Sequence, residues 1–150
     1  MSNGDIKVDA YSPSEISEKV CKIGVSKANL DFLSTLMLAI LAGAFIAFGA
    51  VLATLAIHDS NLSFGLTKLL GGLVFCIGLI LVVVAGAELF TGNNLVIMAY
   101  VDKKISLNKL LRNWGIVYIG NLIGALTMVI WIYFSQEWAD HNYLIGAKAV

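Results

Sequence analysis

Charge is what this chain has least of. Only 13% of its 150 residues are Asp, Glu, Lys or Arg, while 59% are hydrophobic. Soluble domains carry about 25% charged residues, so this composition belongs to a chain embedded in lipid. Basic and acidic residues cancel, ten against ten. There is therefore no basic stripe for nucleic acid, and net charge selects neither an acidic nor a basic partner. Two cysteines, Cys21 and Cys76, are too few for a disulfide framework and read as buried or unreactive thiols. The two histidines, His58 and His141, fall outside the apolar runs, where neither a transmembrane haem nor an intramembrane proton relay would place them. No nucleotide-binding loop, metal-spaced Cys/His cluster or nucleophile elbow occurs, so no enzyme activity, metal or cofactor is expected. No signal peptide is expected either. Asp5, Lys7, Asp9, Glu15, Glu18, Lys19, Lys22 and Lys27 leave no apolar stretch near the start, and the first span is expected to act as the insertion signal.

What the chain has in abundance is long apolar runs. Residues 1–32 read as a polar tail followed by an amphipathic helix, and 33–150 as a transmembrane region. Ser12-Pro13-Ser14-Glu15 is a helix start, with Ser12 as N-cap, the single proline at the first helical position and Glu15 closing a capping box. Ile16, Val20, Ile23 and the stretch Val25 to Ala28 then recur at helical spacing. Such a stripe serves a helix lying in the membrane interface or one packed on the bundle. Three spans follow: about Leu33 to Ile57, a segment starting at Leu69, and about Trp114 to Phe134. The first carries Gly43, Ala47 and Gly49; the third carries Gly120 and Gly124, whose spacing lets helices approach closely. Trp114, Tyr118, Trp131, Tyr133 and Trp138 read as interfacial aromatics. After Asp140 and His141, Tyr143-Leu144-Ile145 reads as the opening of a fourth span.

Lys7, Lys19, Lys22 and Lys27 precede the first span, and Lys103, Lys104, Lys109 and Arg112 follow the second. The other connections hold only Lys68 and Lys148. The positive-inside rule puts the N-terminus of this multi-pass chain in the cytoplasm, with 58–63 and 135–142 outside; a prokaryotic-type inner membrane is the expected location.

The segment Leu69 to Val101 is the informative one. As one helix it would be roughly 50 Å long at about 1.5 Å per residue, too long for a bilayer core of about 30 Å. Thr91-Gly92-Asn93-Asn94 is where a helix is expected to break. Broken helices at membrane depth persist where they pack in protein or line a solute pathway. Asn94 to Val101 then forms a short second half-helix whose N-terminus, facing the membrane interior, attracts anions, with the Thr91 hydroxyl beside it. The alternative is a span that ends at Phe90, with 91–101 lying in the interface. Glu88 sits just before the expected break. A carboxylate there must be protonated, paired or hydrogen-bonded; it either accepts from donors that the break frees or acts on a solute or proton directly. Asn121, mid-span, can bridge the break or bond between helices. Leu79, Phe75, Leu89 and Phe90 are apolar, and on a membrane helix such residues face lipid or core more often than a pore.

Gly72, Phe75, Gly78-Leu79, then Gly86-Ala87-Glu88-Leu89-Phe90-Thr91-Gly92-Asn93, then Asn113-Trp114, Val117-Tyr118 and Gly120-Asn121-Leu122-Ile123-Gly124-Ala125 closely resemble the formate/nitrite transporter family. Ala42 to Ala47 with Gly49 looks like its opening helix. The resemblance implies an all-α, aquaporin-like membrane bundle, a homopentamer with one pore per protomer, and passage of small monovalent anions of weak acids. It matches Thr91 to the pore threonine, Leu79 and Leu89 with Phe75 and Phe90 to apolar constrictions, and Glu88, Asn93 and Asn121 to positions that brace the loop. The tract 88–94 looks most like the hydrosulfide-conducting branch; formate and nitrite remain open. Family members have six spans in two inverted halves, the second supplying another broken helix, a pore histidine and a lysine. Lys148 reads instead as an interface lysine. Either this is part of a six-span protein or it is a half that must pair, and the abrupt apolar end favours the first. The rival reading is a non-transporting anchor or scaffold subunit of a larger complex, which leaves the polar break unexplained.

Overall fold

The structure is a computed structural model and describes residues 11–136. The elements among them are all helical: α1 (Pro13–Ala28), α2 (Phe32–Ile57), α3 (Phe64–Val84), α4 (Phe90–Asn93), a 3-10 turn (Asn94–Val96), α5 (Ile97–Val101) and α6 (Leu107–Ser135). Helices α2, α3 and α6, of 26, 21 and 29 residues, are long and apolar enough to cross a membrane. The stretch from Tyr143 and the residues Trp138 and Lys148 lie outside the described residues.

Helix α1 starts as its sequence dictates. Ser12 N–H donates to Glu15 Oε2 at 2.7 Å, and Glu15 N–H donates to Ser12 Oγ. Helix α2 is capped by Asp31, whose carboxylate accepts from Ser34 N–H at 2.9 Å. Between the long helices the spacers are glycines. A methyl group on Gly124 would lie 2.0 Å from the carbonyl oxygen of Ile40, and one on Gly43 would overlap the backbone of Asn121. The close α2–α6 contact thus needs hydrogen at both positions. Gly49 meets Gly78 in the same way where α2 crosses α3.

Helix α1 packs on the bundle through a face of small residues. Its buried face is Cys21, Gly24 and Ala28, set against Val96, Ala99, Ile105 and Leu110. Ile16 and Ile23 of the expected stripe are exposed. The helix docks through small residues because Gly24 lies directly on the backbone of Val96, and a larger side chain there would hold the two apart. Helix α6 begins seven residues earlier than expected, capped by Ser106.

The second span is broken, but not where expected. Helix α3 ends at Val84, the chain runs non-helically through 85–89, and helix resumes at Phe90. Gly86 takes φ +62°, and the amides of Gly86 and Ala87 close back on Val83 O and Val82 O. This is a Schellman stop, which needs a residue tolerant of the left-handed region. Thr91-Gly92-Asn93-Asn94, the expected break, is therefore the helical restart. A glycine with φ > 0 ends a helix more decisively than a Thr-Gly-Asn-Asn run whose polar groups can cap a new one.

Candidate functional site

Residues 85–89 sit between apolar helices, where each unpaired backbone group costs several kcal/mol in the absence of water. The fold supplies partners from both neighbouring spans. Glu88 N–H donates to Leu38 O of α2 at 3.2 Å. Asn121 of α6 does more: its Oδ1 accepts Phe90 N–H at 2.9 Å, and its Nδ2 donates to Glu88 O at 2.9 Å and to Ala39 O at 2.8 Å. One amide side chain thus ties α6 to α2 and to both sides of Leu89.

The Glu88 carboxylate is 3% exposed as a residue and is held by side chains rather than by freed backbone donors. Lys27 Nζ, at the end of α1, lies 2.7 Å from Oε1, and Asn93 Nδ2 donates to Oε2 at 2.6 Å. Lys27 Nζ also donates to Asn93 Oδ1, and Asn93 Nδ2 to Asn113 Oδ1. Asn113 Nδ2 completes the circuit by donating to Lys27 O. A buried charge is tolerated when it is paired and its remaining lone pairs are bonded, and this network meets both conditions. Trp114 Nε1 donates to Asn93 O at 3.0 Å, capping a carbonyl of the 90–93 turn.

Thr91, Leu79 and Leu89 come together on a cavity of about 470 Å³, closed on one side by α1 through Ile23 and Lys27. Phe75 and Phe90 lie outside that cavity. Phe90 turns toward α6, its ring edge-on to Tyr118 with centroids 5.4 Å apart. Thr91 is exposed on the first turn after the break, near the positive end of the resumed helix.

Lys27, Asn113, Trp114 and Tyr118 are parts of this site that sequence reasoning did not assign. Lys27 reads there as one more positive-inside lysine, and its partner is 61 residues away. Trp114 and Tyr118 read as interfacial aromatics, yet both grip the re-entrant segment. The one available signal was Glu88, which required a cation somewhere. Outside the spans, Asp102 and Lys104 join Cys21 in a second contact between α1 and the α5–α6 connection. Cys21 Sγ lies 3.4 Å from both side chains. The Cys21 and Lys104 contacts hold the Asp102 carboxyl below its usual range.

The formate/nitrite transporter family model matches residues 14–150. An uncharacterised transporter, YrhG of Bacillus subtilis, is 51% identical over 116 residues, 76% of this chain and 44% of that protein. The formate channel FocA of Escherichia coli K12 is 39% identical over 139 residues, 92% of this chain and 49% of that protein. Among solved structures, a pentameric formate channel with formate bound superposes with a TM-score of 0.73 at 38% identity, over 78% of this chain and 46% of that one. The chain spans about half the length of the curated relatives it matches. With three apolar helices, a re-entrant break and these relatives, the chain belongs to the formate/nitrite transporter family.

Proposed function

We propose that this chain forms half of the pore wall of a membrane channel for small monovalent anions of weak acids. The observation that carries the reading is the helix restart at Phe90, held open inside apolar surroundings by Asn121 and the Lys27–Glu88–Asn93 network, with Thr91 and two leucines on a cavity. An anchor subunit has no use for five non-helical residues and a buried carboxylate at membrane depth. The positive end of the resumed helix and the Thr91 hydroxyl draw the anion in. Leu79 and Leu89 form an apolar constriction that strips water and turns away strongly hydrated solutes. Phe75 and Phe90 are assigned to the passage on the resemblance alone.

Formate is the favoured anion, because relatives in this family are named formate channels. Those names lend no support to the hydrosulfide preference expected from the 88–94 tract. The pentameric solved relative supports a homopentamer, and one pore per protomer rests on the family resemblance alone. A cytoplasmic N-terminus is supported by the two basic connections, and an inner membrane by the family resemblance. Both connections meet at one end of the bundle, where Lys109 and Arg112 bond the chain around Asn29 and Leu30.

The test is anion entry into proteoliposomes carrying the complete natural gene product, comparing formate, nitrite, hydrosulfide and a neutral solute. Selective entry of one or more anions is expected. Thr91→Val should slow entry by about tenfold, the effect of losing roughly 1.4 kcal/mol of hydrogen bonding, while the protein still assembles. Entry no faster than into empty liposomes, with folded and oriented protein, would overturn the channel reading in favour of an anchor subunit.

A further inference from the structure

Three side chains of α6 follow the re-entrant segment in reverse order. Asn121 binds the backbone of Phe90 and Glu88, Tyr118 meets the ring of Phe90, and Trp114 binds the carbonyl of Asn93. Their spacing of four and three residues places them on one face of the helix. Phe90 is the residue held twice. Its N–H is fixed by Asn121, and its ring meets the Tyr118 ring edge-on, with a centroid distance of 5.4 Å and an interplanar angle of 73°. Backbone fixation alone leaves the phenylalanine free to change rotamer, because χ1 has three staggered wells. The edge-on contact selects one of them. On either side of Phe90 in the chain, Leu89 and Thr91 line the cavity while the Phe90 ring is held outside it against Tyr118, so another rotamer would swing a large ring toward the cavity.

We propose that Tyr118 is a positioning residue for anion passage: it fixes the Phe90 ring at the helix restart and thereby sets the size of anion that passes beside Leu89 and Thr91. The inference rests on the channel reading above. The contact is made by the ring alone, so the Tyr118 hydroxyl is dispensable. Tyr118 is 59% exposed, and its replacement leaves the Asn121 and Trp114 bonds in place.

The experiment compares formate and acetate entry into proteoliposomes carrying the full-length protein. Tyr118→Met keeps apolar volume but presents no ring edge, and Tyr118→Leu is a second such variant. Either should lower the acetate-to-formate ratio about threefold to tenfold, the range that one aromatic pair is worth, as the released ring narrows the passage. Tyr118→Phe should leave the ratio unchanged. In a Phe90→Leu background, Tyr118→Met should shift nothing further, because its effect passes through Phe90. An unchanged ratio in assembled Tyr118→Met and Tyr118→Leu, or a full shift in the Phe90→Leu background, would overturn the proposal while formate entry by the parent protein upholds the channel. Absence of formate entry by the parent would overturn the channel reading itself, and this proposal with it.

Discussion

Glu88 and Lys27 show how one residue's demand decides another's place. A carboxylate that is 3% exposed needs a cation, and Lys27 supplies it from the end of a helix outside the spans. Removing one member of such a pair leaves an uncompensated buried charge, which costs about 3–5 kcal/mol in fully buried cases. Lys27 is partly exposed, so the lower end applies. Lys27→Met should lower the thermal midpoint in detergent, and Glu88→Gln in the Lys27→Met background should recover part of that loss. Additive losses in the double variant would show that the two side chains do not act as a pair. From the sequence alone Glu88 is legible as a problem, because a membrane-depth carboxylate is always one. Its solution is not legible, since nothing local marks Lys27 among the N-terminal lysines.

At the scale of elements, termini carry most of the readable signal. The Ser12–Glu15 box and Pro13 place the start of α1 correctly, because capping is satisfied by atoms within four residues. The break in the second span also has a local sign, Gly86 after an apolar run, but the Thr91–Asn94 tract reads more conspicuously as a breaker. The restart at Phe90 depends on Asn121, 31 residues away, and no local pattern reports it. Helix α2 offers a pH test. The backbone N–H and hydroxyl of Ser34 hold the Asp31 carboxyl below its ordinary value of 3.8. The cap's contribution is therefore present above that value and lost as pH falls through the lowered one. Asp31→Asn keeps a capping oxygen that does not titrate. Wild type should lose thermal stability relative to Asp31→Asn as pH drops below the ordinary aspartate range. Parallel pH profiles of the two proteins would show that the cap does not respond to protonation.

At the scale of the molecule, α1 and the α5–α6 connection close one end of the bundle. Cys21 touches Asp102 and Lys104, Lys109 reaches Asn29, and Arg112 reaches Leu30. The connection between α2 and α3 lies at the far end of two spans of 26 and 21 residues. In a variant with Cys21 and Cys76 replaced by serine, Lys103→Cys should react with a membrane-impermeant thiol reagent only from the cytoplasmic side. Asn61→Cys should react only from the opposite side. Labelling of both from one side would refute the three-span topology, and exchange of the two sides would reverse the orientation.

Composition, run length and glycine spacing by themselves determined a helical membrane bundle, its three spans and the presence of a break, because lipid allows few ways to satisfy a backbone. The glycines that let α2 meet α6 were legible for the same reason: their spacing repeats along a helix. Only the tertiary structure decided where the helix restarts, which cation meets Glu88, and that Trp114 and Tyr118 contact the re-entrant segment. Each of those outcomes is a hydrogen bond, ion pair or ring contact between elements far apart in sequence. The Asn121 bonds that join α6 to α2 sit where Gly43, Gly120 and Gly124 let those two helices meet closely.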